Sequence, residues 1–206
     1  MAWWRAVAGE LSALGTLAAS MPLGLLVRDG FDPTAPHPTP VVLVHGLGGA
    51  RSNFLVLRSF LTSRGVRNFA SFSYPPRVDY QRLVPRLARR IEELCRDTGA
   101  PRVDVIGHSL GGLVARHLVE LGDGSRVRRL VTLGSPYYSE RRPARELAIF
   151  GAHDPLVPPP ADGRRVLVVE DCGHLNLLRH PAVLHAVARF LRMTVASGSS
   201  EVRAAG

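Results

Sequence analysis

Gly107-His108-Ser109-Leu110-Gly111 decides how this chain is read. It follows the apolar run Val103, Val105, Ile106 and precedes Leu110, Leu113, Val114, Leu118 and Leu121 at helical spacing. A strand that turns straight into a helix brings its own backbone back against itself. Glycines on either side of the serine leave room for that return. The serine hydroxyl is then held out at the top of a sheet, where a base can reach it. The helix N-terminus, with its exposed N–H groups and partial positive charge, points at the same spot.

Three more segments match this one in kind. Val41-Val42-Leu43-Val44 runs into His45-Gly46-Leu47-Gly48-Gly49, a glycine turn whose N–H groups are accessible. Leu147-Ala148-Ile149-Phe150 runs into Gly151-Ala152-His153-Asp154. Val166-Leu167-Val168-Val169 is followed by Gly173-His174-Leu175. Taken singly, an Asp-Pro pair is usually a turn and a loop histidine is usually structural or solvated. Together they set a serine, an acid and a base at the ends of strands, in the order Ser109, Asp154, His174.

That order and the Gly-x-Ser-x-Gly turn resemble the α/β-hydrolases. Within them the chain is similar to bacterial lipases and esterases, especially minimal lidless lipases, over roughly Pro40 to Met193. The resemblance implies Ser109 as nucleophile, His174 as general base and then acid, and Asp154 as the group that orients it. The backbone N–H groups of Leu47 and Leu110 would receive the oxyanion. It implies a carboxylic ester or lipid as substrate and no cofactor; no metal is expected either, since no cluster of His, Cys and carboxylates has ligand spacing. A serine hydroxyl needs an adjacent base at neutral pH. Imidazole, with a reference pKa of about 6.5, can take and return a proton there. An acyltransferase would use the same acyl-serine, and a non-catalytic binding module would use the same fold.

Between these motifs strands and helices alternate, which predicts one domain over 41–194. Its sheet should have about six mainly parallel strands, helices on both faces and no cap domain. Helices are expected from Ser52 as N-cap to Gly65, from Asp79 to Gly99, behind Ser109, and from about Pro181. Pro85 predicts a bend or late start in the second of these. Between Gly134 and Leu147 too few residues remain for a lid, so the cleft should be open. Tyr137 and Tyr138 either line that cleft or cover the place of a missing helix. Leu47, Leu156, Val157 and Leu175 form either an apolar rim or ordinary core. Asp162, Glu170 and Asp171 are rival acids; Asp171 stands too close in sequence to His174 for the usual geometry.

The N-terminus allows several readings. Leu11 to Val27 carries no charge. A secretory signal, a membrane anchor and an amphipathic helix over 1–28 all remain open. The helix would present Trp4, Val7, Leu11, Leu14, Ala18 and Met21 to the domain or to a membrane surface. These readings favour a secreted or membrane-associated protein over a cytoplasmic one. Residues 29–40 hold Pro33, Pro36, Pro38 and Pro40, an extended connector, and 195–206 read as a frayed tail.

The formal charge of +9 comes from 26 basic residues, all arginine. They are scattered and accompany no nucleic-acid-binding motif, so nucleic acid is not an expected partner. Cys95 and Cys172 could form one disulfide or remain thiols. Oligomeric state is not legible.

Overall fold

The computed structural model describes residues 7–15, 28–75, 79–139, 141, 143–161 and 166–192. Trp4, Ala18, Met21, the rival acid Asp162 and the expected tail at 195–206 lie outside them. Six strands form one sheet: β1 (Val41–Val44), β2 (Phe69–Phe72), β3 (Val103–His108), β4 (Val127–Leu133), β5 (Glu146–Gly151) and β6 (Leu167–Val169). Their order is β2-β1-β3-β4-β5-β6, and every pair is parallel.

Helix α1 covers residues 7–15. The others are α2 (Leu55–Thr62), α3 (Tyr80–Thr98), α4 (Leu110–Glu120) and α5 (Pro181–Arg192). The inner strands β1 and β3 are buried on both faces because helices cover both. Val41, Leu43, Ile106, Val131 and Ile149 pack with residues of α2 and α5. Val42, Val44, Val103, Val105 and Leu130 pack with residues of α3 and α4. Adjacent residues of β1 thus enter opposite cores, as the period-two alternation of a strand requires. Strand order reverses between β1 and β3, and the crevice outside the carboxyl ends at such a point is where open α/β sheets bind ligands.

Cys95 belongs to the α3/α4 layer and Cys172 to the α2/α5 layer. With the sheet between them they cannot approach, and both are free thiols.

Several local expectations are corrected. Ser52 does not cap a helix: it is buried within a 3-10 turn, Arg51–Phe54, that precedes α2. Pro85 does not delay α3, which starts at Tyr80 with the Asp79 carboxylate accepting from the Gln81 N–H at 3.0 Å. Leu121 lies beyond the end of α4 and is exposed. Arg116, by contrast, is fully buried on α4. Its guanidinium reaches Glu146 Oε1 at 2.7 Å and Thr132 Oγ1 at 3.0 Å, and it also donates to the Pro136 carbonyl. It lies 3.8 Å from the Tyr137 ring centroid, while Tyr138 stacks on His117 at 4.6 Å. Both tyrosines therefore lean on α4. Residues 134–145 make the β4–β5 connection, and no helix occurs among its described residues.

The proline-rich connector is docked rather than free. The buried Asn68 amide donates to the carbonyls of Asp32 at 3.0 Å and Pro38 at 3.1 Å. Its oxygen accepts from the Asp32 N–H at 2.6 Å. His37 Nε2 meets Asp104 Oδ2 at 3.0 Å, at the opposite end of β3 from Ser109.

Among the described residues no helix is long and apolar enough to cross a membrane. Helix α1 does not bury the stripe read from its sequence. Val7, Leu11 and Leu14 are exposed, and Ala13 is buried instead.

Candidate active site

Ser109 is the first residue after β3 and the N-cap of α4. Its φ of 53° and ψ of −124° make it the single non-glycine residue with positive φ among those described. Such a conformation costs about 1–3 kcal/mol and persists only where its surroundings enforce it. They do so here by close packing. A Cβ on Gly107 would come within 2.4 Å of the Gly112 Cα, and one on Gly111 within 2.2 Å of the Val44 carbonyl oxygen. The obstacles are backbone and cannot swing away. The Ser109 N–H donates to the Leu133 carbonyl at 2.9 Å, tying the turn to β4.

Asp154 and His174 are brought together from the ends of β5 and β6. His174 Nδ1 lies 2.7 Å from Asp154 Oδ2. Asp154 Oδ1 accepts from the N–H groups of Leu156 at 2.9 Å and Val157 at 2.8 Å. The carboxylate is thus held from both oxygens, and both side chains are buried. Because Oδ2 can only accept, Nδ1 carries the proton and Nε2 is left with its lone pair. Gly134, with φ +53°, follows Leu133 directly. A Cβ there would lie 3.1 Å from both Asp154 Oδ2 and His174 Nδ1. The same β4 end therefore anchors Ser109 through Leu133 and borders the Asp154–His174 pair through Gly134.

His108 connects the serine turn to the histidine loop. Its ring centroid lies 4.7 Å from that of His174, and its Nε2 donates to the His174 carbonyl at 3.1 Å. Burial, and then the neighbouring His174, push its pKa down to about 3. It is a neutral imidazole at working pH, and a donor at Nε2. His45 Nδ1 donates to the Gly46 carbonyl at 2.8 Å and its ring stacks on Tyr74 at 4.4 Å. Its pKa is also lowered, chiefly by burial.

The His108 shift has a thermodynamic consequence. In the unfolded chain a histidine titrates near 6.5, and here the folded value is about 3. Between those pH values the unfolded state binds the extra proton, so stability falls as pH falls through that window. The slope from this one group approaches about 1.4 kcal/mol per pH unit. Urea unfolding from pH 7 to pH 4 is expected to show a steeper loss for wild type than for His108→Asn. Equal slopes would disprove the assignment.

The oxyanion candidates are placed at adjacent strand ends, Leu47 after β1 and Leu110 after β3. Between described residues, no hydrogen bond occupies the N–H of either. The Leu47 side chain is 65% exposed and that of Leu156 71%, so both are rim rather than core. Cys172, two residues from His174, is fully buried, and burial raises its thiol pKa to about 12. It stays a thiol and cannot rival a serine nucleophile. Among the described residues no group of three or more His, Cys, Asp or Glu could hold a metal ion. One participant was not read from the sequence: Glu10 of α1 accepts hydrogen bonds from the N–H groups of Leu175 at 2.9 Å and Asn176 at 2.7 Å. A lone glutamate far upstream carries no local signal of that contact.

A six-stranded parallel sheet, helices on both faces and a strained serine at the strand–helix turn define an α/β-hydrolase. Residues 40–142, half of the 206-residue chain, match the family described as palmitoyl protein thioesterase, and the chain belongs to that family. The matched segment contains Ser109 and ends before Asp154 and His174. A triacylglycerol lipase from Burkholderia plantarii is 29% identical over 147 residues, 66% of this chain. The chain spans 39% of that lipase's length. Among solved structures, an α/β-hydrolase enzyme from a lagoon-sediment metagenome of Mar Chica, Morocco, superposes with a TM-score of 0.57 at 21% identity. That likeness covers 73% of this chain and 89% of the other. A membrane phospholipase A, described as a bacterial virulence factor, gives 0.59 at 15% identity, covering 90% and 94%. These likenesses establish the fold.

Proposed function

We propose that this protein is a serine hydrolase of carboxylic acyl esters, acting through an acyl-enzyme on Ser109. His174 Nε2 takes the Ser109 proton as the hydroxyl attacks the ester carbonyl. Asp154 holds the tautomer that leaves Nε2 bare and stabilises the imidazolium that forms. The N–H groups of Leu47 and Leu110 receive the oxyanion, each worth about 3–4 kcal/mol of barrier. His174 then protonates the leaving group, and water, deprotonated by the same nitrogen, releases the acid from Ser109. The observation that carries this reading is the 2.7 Å Asp154–His174 contact beside a serine forced into a positive-φ turn. Relatives described as a lipase and as thioesterases support acyl transfer to water, with an oxygen or sulfur leaving group. The test is hydrolysis of p-nitrophenyl esters from acetate to palmitate, with intact-mass analysis after fluorophosphonate treatment. One adduct on Ser109 and turnover at some chain length are expected. A folded protein that neither turns over nor labels would overturn the proposal.

The outward stripe of Val7, Leu11 and Leu14 supports contact with a lipid surface, to which a chain of charge +9 is drawn when the lipid is anionic. Co-sedimentation with phosphatidylglycerol vesicles is expected to fall several-fold in Leu11→Ser/Leu14→Ser. Unchanged binding would refute that contact.

A further inference from the structure

The peptide unit joining His174 to Leu175 is gripped from both sides. Its carbonyl accepts from His108 Nε2 at 3.1 Å, and its N–H donates to Glu10 Oε2 at 2.9 Å. The second Glu10 oxygen takes the next N–H, that of Asn176, at 2.7 Å. A peptide is planar, so holding both its ends fixes the rotation about the His174 Cα–C bond. The loop carrying the base is thereby set against the serine turn on one side and against α1 on the other.

The two segments fit at close range. A Cβ on Gly173 would come within 2.5 Å of Glu10 Cγ, and one on Gly9 within 2.7 Å of Asn176 Nδ2. A larger residue at Gly173 would thus push the Glu10 side chain away from its donors, while one at Gly9 would displace the Asn176 amide. Arg179 adds a bond from its guanidinium to the Ser12 carbonyl at 3.0 Å. This polar contact explains why α1 turns its leucines outward. Two backbone N–H groups at the His174 loop need an acceptor, and a carboxylate meets both, in charge-assisted bonds stronger than neutral ones.

We infer that Glu10 is a positioning residue for His174, and that α1 is a working part of the active site. The family match begins at residue 40 and leaves this helix outside it. The inference rests on reading His174 as the base. Glu10 touches no reacting atom; it acts by holding the backbone that aims Nε2 at Ser109. A displacement of about 1 Å at such a group can cost 10²-fold in rate.

The test compares wild type, Glu10→Ala and Glu10→Gln in the 206-residue chain, with a soluble p-nitrophenyl ester. Fluorophosphonate titration counts competent sites, so that kcat is expressed per site. In Glu10→Ala, kcat per site is expected to fall about 10- to 100-fold at unchanged KM. In Glu10→Gln the loss should be smaller, since the amide oxygen still accepts one of the two N–H groups. A merely structural contact would lower the number of titratable sites and leave kcat per site alone. Wild-type kcat per site in Glu10→Gln and in whatever Glu10→Ala folds overturns the inference. Ser109→Ala and His174→Ala are measured alongside. Turnover retained in either one defeats the catalytic reading itself; if both are silent and the Glu10 variants are not slowed, the positioning role alone fails.

Discussion

Ser109→Ala is expected to lower kcat by about 10⁴- to 10⁶-fold while leaving the fold intact. The variant removes one oxygen from a position whose neighbours are set by glycine contacts and by the Ser109 N–H bond to Leu133. Alanine keeps the Cβ and the strained φ of 53°, so its thermal midpoint should match wild type. Ser109→Gly separates strain from chemistry. Glycine adopts positive φ without steric cost, so this variant should recover part of the roughly 1–3 kcal/mol held in the turn, offset by the greater entropy of its unfolded state. It should be as inactive as alanine. Adding His174→Ala to Ser109→Ala should cost little more, because a base with no nucleophile to activate has nothing left to contribute. Residual turnover near wild type in Ser109→Ala would remove the serine from the mechanism. A further large loss on adding His174→Ala would mean that the histidine acts through another group.

Much of this site could be read from the chain because its parts are local. A glycine-flanked serine between strand and helix specifies its own geometry, and β1, β3, β5 and β6 announce themselves as apolar runs. Asp154 and His174 follow strands whose parallel order puts all their carboxyl ends at one end of the sheet. What the sequence hid was long-range. Arg116 reads as one more solvated arginine until Glu146, thirty residues on, meets it in the core. Asn68 and His37 look like loop residues, yet they fasten the connector to the sheet. Which face of α1 meets the domain was not legible either, since the stripe could have faced the core or a membrane surface. An apolar stripe normally turns inward, but here the receiving surface offers unsatisfied N–H groups, so the glutamate side docks instead. Ser52 failed as a cap because the chain enters α2 through a 3-10 turn, which the pattern of apolar residues does not distinguish.

Asp154→Asn is expected to lower kcat by about 10⁴-fold without unfolding the protein, and the hydrogen bonds around it give the reason. Two backbone donors, Leu156 and Val157, converge on Oδ1. In the variant they would hold the amide oxygen at that position, because an NH₂ there would face two N–H groups. The amide nitrogen must then occupy the place of Oδ2, 2.7 Å from His174 Nδ1. A donor now confronts a donor. The imidazole resolves this by moving its proton to Nε2, leaving Nδ1 to accept from the amide. Nε2, the base of the proposed mechanism, then carries a proton and cannot deprotonate Ser109. The ¹⁵N shifts of the His174 ring report this directly, with the protonated nitrogen changing from Nδ1 to Nε2. Asp171→Asn serves as the comparison, since that carboxylate is the nearest rival in sequence. Full activity in Asp171→Asn together with a tautomer change in Asp154→Asn fixes the acid as Asp154. A variant of Asp154 that keeps its tautomer and activity within tenfold of wild type would move the orienting role to another group.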